Sequence, residues 1–263
     1  MNEFDAALAA RESGESRWEV AIPDGWDFFG IPNGGLLMAM AASTLGPASG
    51  HPDPVTVTAH YAKPASAGPA VLEGEVLRSG RRLSTVRGQL SQNGRPIVHL
   101  LGTFGDLDAR EHGAVYEPGL PALPPPEQCL DDDAVPGTPA IFDRVGIRFH
   151  PEHVGFATGE KTGRAELGGW MRFRDGRAPD ALALLLMADA HPPAVLNAPD
   201  ISFGWVPTIE LTVHVHKKPA PGWIGGWFEV MHISGGFLEE DGVLWDSVGD
   251  LVAVSRQIAM VPR

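Results

Sequence analysis

The chain has 263 residues, of which 43% are hydrophobic, 20% charged and 8% aromatic, enough apolar material for one large core or two cores of about 110 to 130 residues each. That balance excludes the disordered and fibrous classes. The formal net charge is −13 with Lys and Arg scattered along the chain, so nucleic acid is excluded as a partner, and any anionic ligand needs a local basic patch.

The single cysteine, Cys129, rules out an intrachain disulfide and a Cys-based zinc site, and fits a reducing compartment. The opening segment, Met1 to Glu15, is acidic and lacks the basic region and apolar run of a signal peptide. The longest apolar run, Ala181 to Ala188, is too short to span a bilayer. A cytoplasmic protein with no membrane segment is expected.

In chain order, Trp18 to Ile22 reads as a first strand. The turn Pro32-Asn33 leads into an almost wholly apolar helix, Gly34 to Leu45. An alternating strand follows from Val55, ending His60-Tyr61-Ala62-Lys63-Pro64, and then come strands at Val71 to Arg78, Leu83 to Ser91 and Ile97 to Phe104. Asn93-Gly94 between the last two is a strong hairpin signal. Residues 105–137, with Glu117-Pro118-Gly119, Pro124-Pro125-Pro126 and Asp131-Asp132-Asp133, suit an extended surface connection.

The same succession then recurs. A strand is expected at Arg164 to Phe173, a helix at Ala181 to Ala190, and a strand from Thr208 that ends Lys217-Lys218-Pro219. Strands at Trp227 to His232, Gly236 to Trp245 and Leu251 to Met260 complete the second half. A helix that is apolar on all faces must be buried on nearly all sides, so each half reads as one long helix wrapped by an antiparallel sheet. The expected fold is therefore α+β, a hotdog made twice: an N-terminal repeat at 1–106, a linker at 107–137 and a C-terminal repeat at 138–263.

These features resemble the acyl-CoA thioesterase II family, whose members are double hotdog proteins in one chain. The first half carries the likeness in Pro32-Asn33-Gly34-Gly35, the strand end from His60 to Pro64, and the run from Gly80 through Arg81, Arg82 and Leu83 to Arg87. The second half carries it in Ala188-Asp189, Pro207-Thr208-Ile209-Glu210, Phe237-Leu238-Glu239-Glu240-Asp241-Gly242 and Ser255-Arg256-Gln257. The resemblance implies an acyl-CoA substrate and a water held by an Asp of the second helix, a Thr on the next strand and a Gln on the last strand. Here these fall on Asp189, Thr208 and Gln257, with Glu210 and Ser234 as competing polar groups nearby.

The chemistry is coherent. Thioester hydrolysis needs a nucleophile, a proton acceptor and donors aimed at the oxygen that becomes negative. A thiol, with a pKa near ~8.5, leaves with little acid assistance, so a positioned water suffices. Desolvation at the end of the Leu-rich stretch is expected to raise the basicity of Asp189. The alternative is a helix-terminal acid bonded to nearby backbone. Thr208 and Gln257 orient a water without taking up charge.

Free N–H groups at the helix start, Asn33-Gly34-Gly35, suit an oxyanion hole, or equally a simple N-cap. Arg81 and Arg82, with Arg78, Arg87, Lys63, Lys217 and Lys218, offer a strand-end patch for CoA phosphates. Trp26, Phe28 and Phe29 suit either an acyl tunnel or the core. His60, His214 and His216 have no acid or Cys at ligand spacing, so no metal or other cofactor is expected. Two further readings stay open: a binder of acyl-CoA or fatty acid without turnover, and a hotdog hydratase or dehydratase using Asp189 and His191. Association into a homo-oligomer through sheet edges is also open.

Overall fold

The structure is a computed structural model describing residues 1–109, 116, 119–135 and 137–262. In chain order its elements are α1 (Glu3–Ala7), β1 (Ala10–Gly14), β2 (Arg17–Ile22), β3 (Asp27–Phe28), β4 (Ile31–Pro32), α2 (Gly34–Ala48), β5 (Asp53–Tyr61), β6 (Gly68–Arg78), β7 (Leu83–Gln92) and β8 (Arg95–Gly105). There follow β9 (Leu130–Asp131), β10 (Val145–Phe149), α3 (Gly155–Thr158), β11 (Glu166–Phe173), α4 (Ala181–Met187), β12 (Thr208–Val215), β13 (Ile224–Ser234), β14 (Phe237–Trp245) and β15 (Leu251–Met260). No helix among the described residues is long and apolar enough to cross a membrane.

Thirteen strands form one antiparallel sheet, in the order β1-β2-β6-β7-β8-β5-β12-β15-β14-β13-β11-β10-β9. The two halves of the chain meet at β5 and β12, where Thr58 lies opposite Thr212 and their hydroxyls are 2.7 Å apart. Outward from that seam the order is β8, β7, β6, β2 on one side and β15, β14, β13, β11 on the other, so corresponding strands occupy corresponding places. The β7–β8 hairpin turns at Asn93, with φ 53°, and Gly94, with φ 71°, the left-handed pair that a tight hairpin demands.

α2 forms because Asn33 caps it, its side-chain oxygen accepting from the Leu36 N–H at 2.8 Å. Leu36, Leu37, Met38, Met40 and Leu45 are all buried, each worth roughly 1.5–3 kcal/mol over exposure. The long helix expected in the second half is shorter: α4 spans seven residues and ends at Met187. Pro192 and Pro193 explain the stop. The residue before a proline is driven out of the helical region, and the chain passes through a turn at residues 188–190 instead. Asp189 therefore sits on that turn, past the helix.

The connecting segment also departs from a surface run. Glu117 and Pro118 lie outside the described residues, as do 110–115 and 136. The part after them is built into the sheet, with β9 pairing with β10. Asp132, in the acidic triplet, is fully buried, accepts from the Ile147 N–H at 2.7 Å and pairs with Arg174 at 2.5 Å. A patch of three acids reads as solvated in sequence, but two specific donors make burial of one of them affordable.

Candidate active site

The start of α2, the turn after α4 and the inner ends of β12, β14 and β15 converge on a cavity of about 600 Å³. Its walls are mainly apolar, among them Phe28, Leu37, Phe142, Phe156, Leu196 and Phe228. Asn33, Gly34, Asp189, Thr208 and Gln257, five of the residues expected from sequence, all line it. Gly35 is joined to it by a hydrogen bond to Asp189.

Asp189 is the centre of this arrangement. Its Oδ2 accepts from Asn33 Nδ2 at 2.9 Å and from the Gly35 N–H at 2.9 Å, while its backbone carbonyl accepts from Asn33 Nδ2 at 2.7 Å. Asn33 thus caps α2 with its oxygen and holds Asp189 with its nitrogen. Burial pushes the Asp189 carboxyl up to about 6, against the opposing pull of the Gly35 and Gly34 N–H groups and the Asn33 amide. A Cβ on Gly35 would lie 2.6 Å from the Leu185 carbonyl and 2.9 Å from that of Leu186, so only glycine lets α2 reach this close to α4.

That geometry corrects one expectation. The N–H groups at the head of α2 are not free, because the Asp189 carboxylate takes the Gly35 donor and draws on that of Gly34. Sequence shows donors at a helix start but not which acceptor claims them.

Thr208 and Gln257 belong to a chain of hydrogen bonds with a residue that sequence reasoning missed. The Thr208 hydroxyl donates to Gln257 Oε1 at 2.9 Å, and Gln257 Nε2 donates to Glu240 Oε1 at 2.7 Å. The other Glu240 oxygen accepts from the Ala194 N–H at 2.6 Å. Glu240 is 5% exposed and lines the same cavity; burial, with the nearby Asp189 and Asp241 charges, pushes its carboxyl up to about 7. The signal was available. Leu238, Gly242 and Leu244 occupy the inward positions of β14, and Glu240 is an acid in that apolar register.

Of the competing groups, Glu210 accepts from Thr212 at 2.5 Å, and Ser234 lies exposed at the end of β13 near His232; neither lines the cavity. Arg81 and Arg82 are a second correction. They sit beside Leu83, which pairs with Gly105, itself opposite Asp53 at the start of β5. The cavity meets β5 at Tyr61, eight residues on, or about 26 Å along an extended strand. Both ends of a hairpin look alike in sequence. Among the seven basic residues, Lys63 alone lines the cavity, while Arg87, Lys217 and Lys218 are paired with Glu75, Asp250 and Asp108. Phe28 and Phe29 also line the cavity, whereas Trp26 is buried in the core.

His191 is buried between Phe149 and Phe228, ring centroids 5.9 and 5.0 Å away, and burial pushes it down to about 3. It is neutral at ordinary pH.

Comparison with known proteins agrees with this architecture. A protein of unknown function with a hot dog fold from Alicyclobacillus acidocaldarius is 23% identical, covering 100% of this chain and 99% of its own, with a TM-score of 0.86. The fold is a hotdog fold. Residues 22–105 match the acyl-CoA thioesterase N-terminal domain and residues 126–261 the acyl-CoA thioesterase C-terminal domain. A protein of Thermobifida fusca YX, provisionally assigned as a thioesterase II, is 34% identical over 100% of this chain and 98% of that one, with a TM-score of 0.91. An uncharacterized protein of Mycobacterium tuberculosis strain H37Rv is 29% identical over 93% of this chain and 91% of that protein. The chain belongs to the acyl-CoA thioesterase family.

Proposed function

We propose that the chain is a double hotdog acyl-CoA thioesterase, with repeats at 1–106 and 138–263 joined by 107–137, that converts an acyl-CoA and water into a free carboxylic acid and CoA. The observation that carries this reading is a half-buried carboxylate, Asp189, held by the head of α2 inside an apolar cavity with its pKa at about 6. A base poised near neutrality serves proton transfer best, and the apolar wall suits an acyl chain.

In the proposed reaction a water held by Asp189, Thr208 and Gln257 attacks the thioester carbon. Its proton passes to Asp189 as the carbon–oxygen bond forms. The tetrahedral intermediate then expels the CoA sulfur as a thiolate, and the proton on Asp189 returns to it. The chain from Thr208 through Gln257 to the Glu240 carboxylate fixes which way each group points, so that water meets oriented partners. Lys63, the one cation among the described residues that line the cavity, is the group we assign to the CoA diphosphate.

The test is free-thiol release from short, medium, long and aromatic acyl-CoA esters, by the unaltered chain and by Asp189→Ala. Release that drops more than about a hundredfold in a folded variant supports the reading. No release from any ester overturns it and leaves binding without turnover; loss of enoyl absorbance with the thioester intact indicates a hydratase.

A further inference from the structure

The described residues hold three buried side-chain nitrogen or oxygen atoms with no hydrogen-bond partner: Tyr61 Oη and both ring nitrogens of His191. Both residues line the cavity. An unpaired buried polar group is destabilising, and its persistence calls for a reason. His191 has a simple one, since its imidazole is packed between two phenyl rings and against Gly169, where a Cβ would come within 2.7 Å of Nε2.

Tyr61 is different, because it stands beside the reacting groups. It is the last residue of β5, and its phenol lies against Gly34, where a Cβ would meet Cζ and Oη at 2.9 Å. Gly34 is the residue between Asn33 and Gly35, which both donate to the Asp189 carboxylate. Burial, with the charges of Asp189 and Glu210, raises the Tyr61 pKa well above its ordinary value, so the group is an O–H donor throughout the working range.

Thioester hydrolysis needs a donor at the carbonyl oxygen, and the N–H groups at the head of α2 are taken by Asp189. We propose that Tyr61 is that donor: its O–H, buried and with no acceptor, donates to the thioester carbonyl and to the oxyanion that forms from it. This rests on the thioesterase reading. The charge that water brings to the carbonyl oxygen is then met by the phenol, while Asp189 takes the proton on the other side.

Tyr61→Phe tests it, because phenylalanine keeps the ring and removes only the oxygen. kcat for acyl-CoA is expected to drop about 10²- to 10³-fold, with KM little changed and Tm equal or higher. A second measurement needs no turnover. The dissociation constant is read for two CoA analogues, a ketone with a methylene in place of the thioester sulfur and an alkyl thioether lacking the carbonyl. Tyr61→Phe is expected to weaken the ketone at least tenfold and leave the thioether unchanged. A variant with kcat within threefold of the unaltered chain and the same affinity for the ketone overturns the Tyr61 role. If thiol release then still depends on Asp189, the thioesterase reading stands without it. Absence of thiol release from every ester by the unaltered chain overturns both.

Discussion

One place in the sheet occurs twice, with different contents. Three residues in from the paired strand ends, β7 and β8 set Val86 opposite Gly102, both buried in the core. At the corresponding place β14 and β15 set Glu240 opposite Gln257, also buried, but joined to each other and to Thr208 by hydrogen bonds. The helices differ in the same sense: α2 has fifteen residues and presents donors at its start, whereas α4 has seven and is followed by the acid that takes them. Like surroundings have become a packed core in one half and a polar network in the other. Among the described residues the two halves thus build one such site, each supplying what the other lacks. Polarity at the second place is maintained against a desolvation cost that Val86 and Gly102 do not bear.

The largest expected effect comes from removing the charge at the centre. Asp189→Asn should reduce thiol release more than about a hundredfold, since an amide cannot accept the water's proton. It should also alter stability with pH. The folded-state pKa of Asp189 is raised from 3.8 to about 6, so its stabilising contribution is full below about 4 and is lost as pH rises through 6. Glu240 acts in the same direction through about 7, and His191, lowered to about 3, acts in the opposite one; both drop out of the difference between variant and unaltered chain except for the part of the Glu240 rise that the Asp189 charge causes. That difference should favour the variant by on the order of 2 kcal/mol more at pH 7.5 than at pH 4, read by thermal unfolding. A difference that is flat with pH would mean Asp189 is not held near 6.

The next effect tests the contact that brings the halves together. Gly35→Ala places a methyl against the Leu185 carbonyl, so α2 must retreat from α4 and Asp189 loses a donor. A stability loss of about 1–3 kcal/mol is expected, with kcat down at least tenfold. Val86→Ala is the control from the apolar place: a loss of stability of similar size with kcat per folded molecule unchanged. If Val86→Ala depresses kcat as much as Gly35→Ala, the division between core and site is wrong.

Much of the fold was legible before these contacts were known. The period-two strands, the Asn-Gly hairpin and the almost wholly apolar α2 are local signals, and β15 begins and ends as expected at Leu251 and Met260. The site was legible less evenly. Thr208, Gln257 and Asp189 were reached through family resemblance, carried by the apolar stretch before Asp189 and the strand motifs around the other two. Glu240 was hidden because acids flank it on both sides, at 239 and 241, and only the strand's parity tells the inward one from the outward two. The short β1, β9 and β10 were missed because strands of two to five residues carry too few alternations to read.

Replacing Glu240 should give a smaller effect. Glu240→Gln keeps an acceptor for one of its donors and, like the protonated carboxyl, carries no charge. The acid limb of kcat/KM, expected near pH 6, should stay in place, because Glu240, at about 7, is mostly protonated when Asp189 titrates. A downward shift would show that Glu240 is charged when Asp189 titrates.

The smallest effect lies at the mouth of the cavity, where the acidic chain meets an anionic substrate. CoA carries several negative charges and the protein is at −13, so long-range attraction cannot bring the two together. A local cation is needed, and Lys63 follows β5 directly after Tyr61 and Ala62, on the same stretch that lines the cavity. Its side chain is exposed, so a phosphate contact there is worth about 0.5–1 kcal/mol and weakens with salt. Lys63→Ala should thus raise KM for an acyl-CoA two- to fivefold, with kcat unchanged and the effect fading at high ionic strength. The matching acyl-pantetheine, which lacks the phosphates, should show no difference between the two proteins. An equal rise in KM for both esters would mean that Lys63 shapes the entrance and does not read the phosphates.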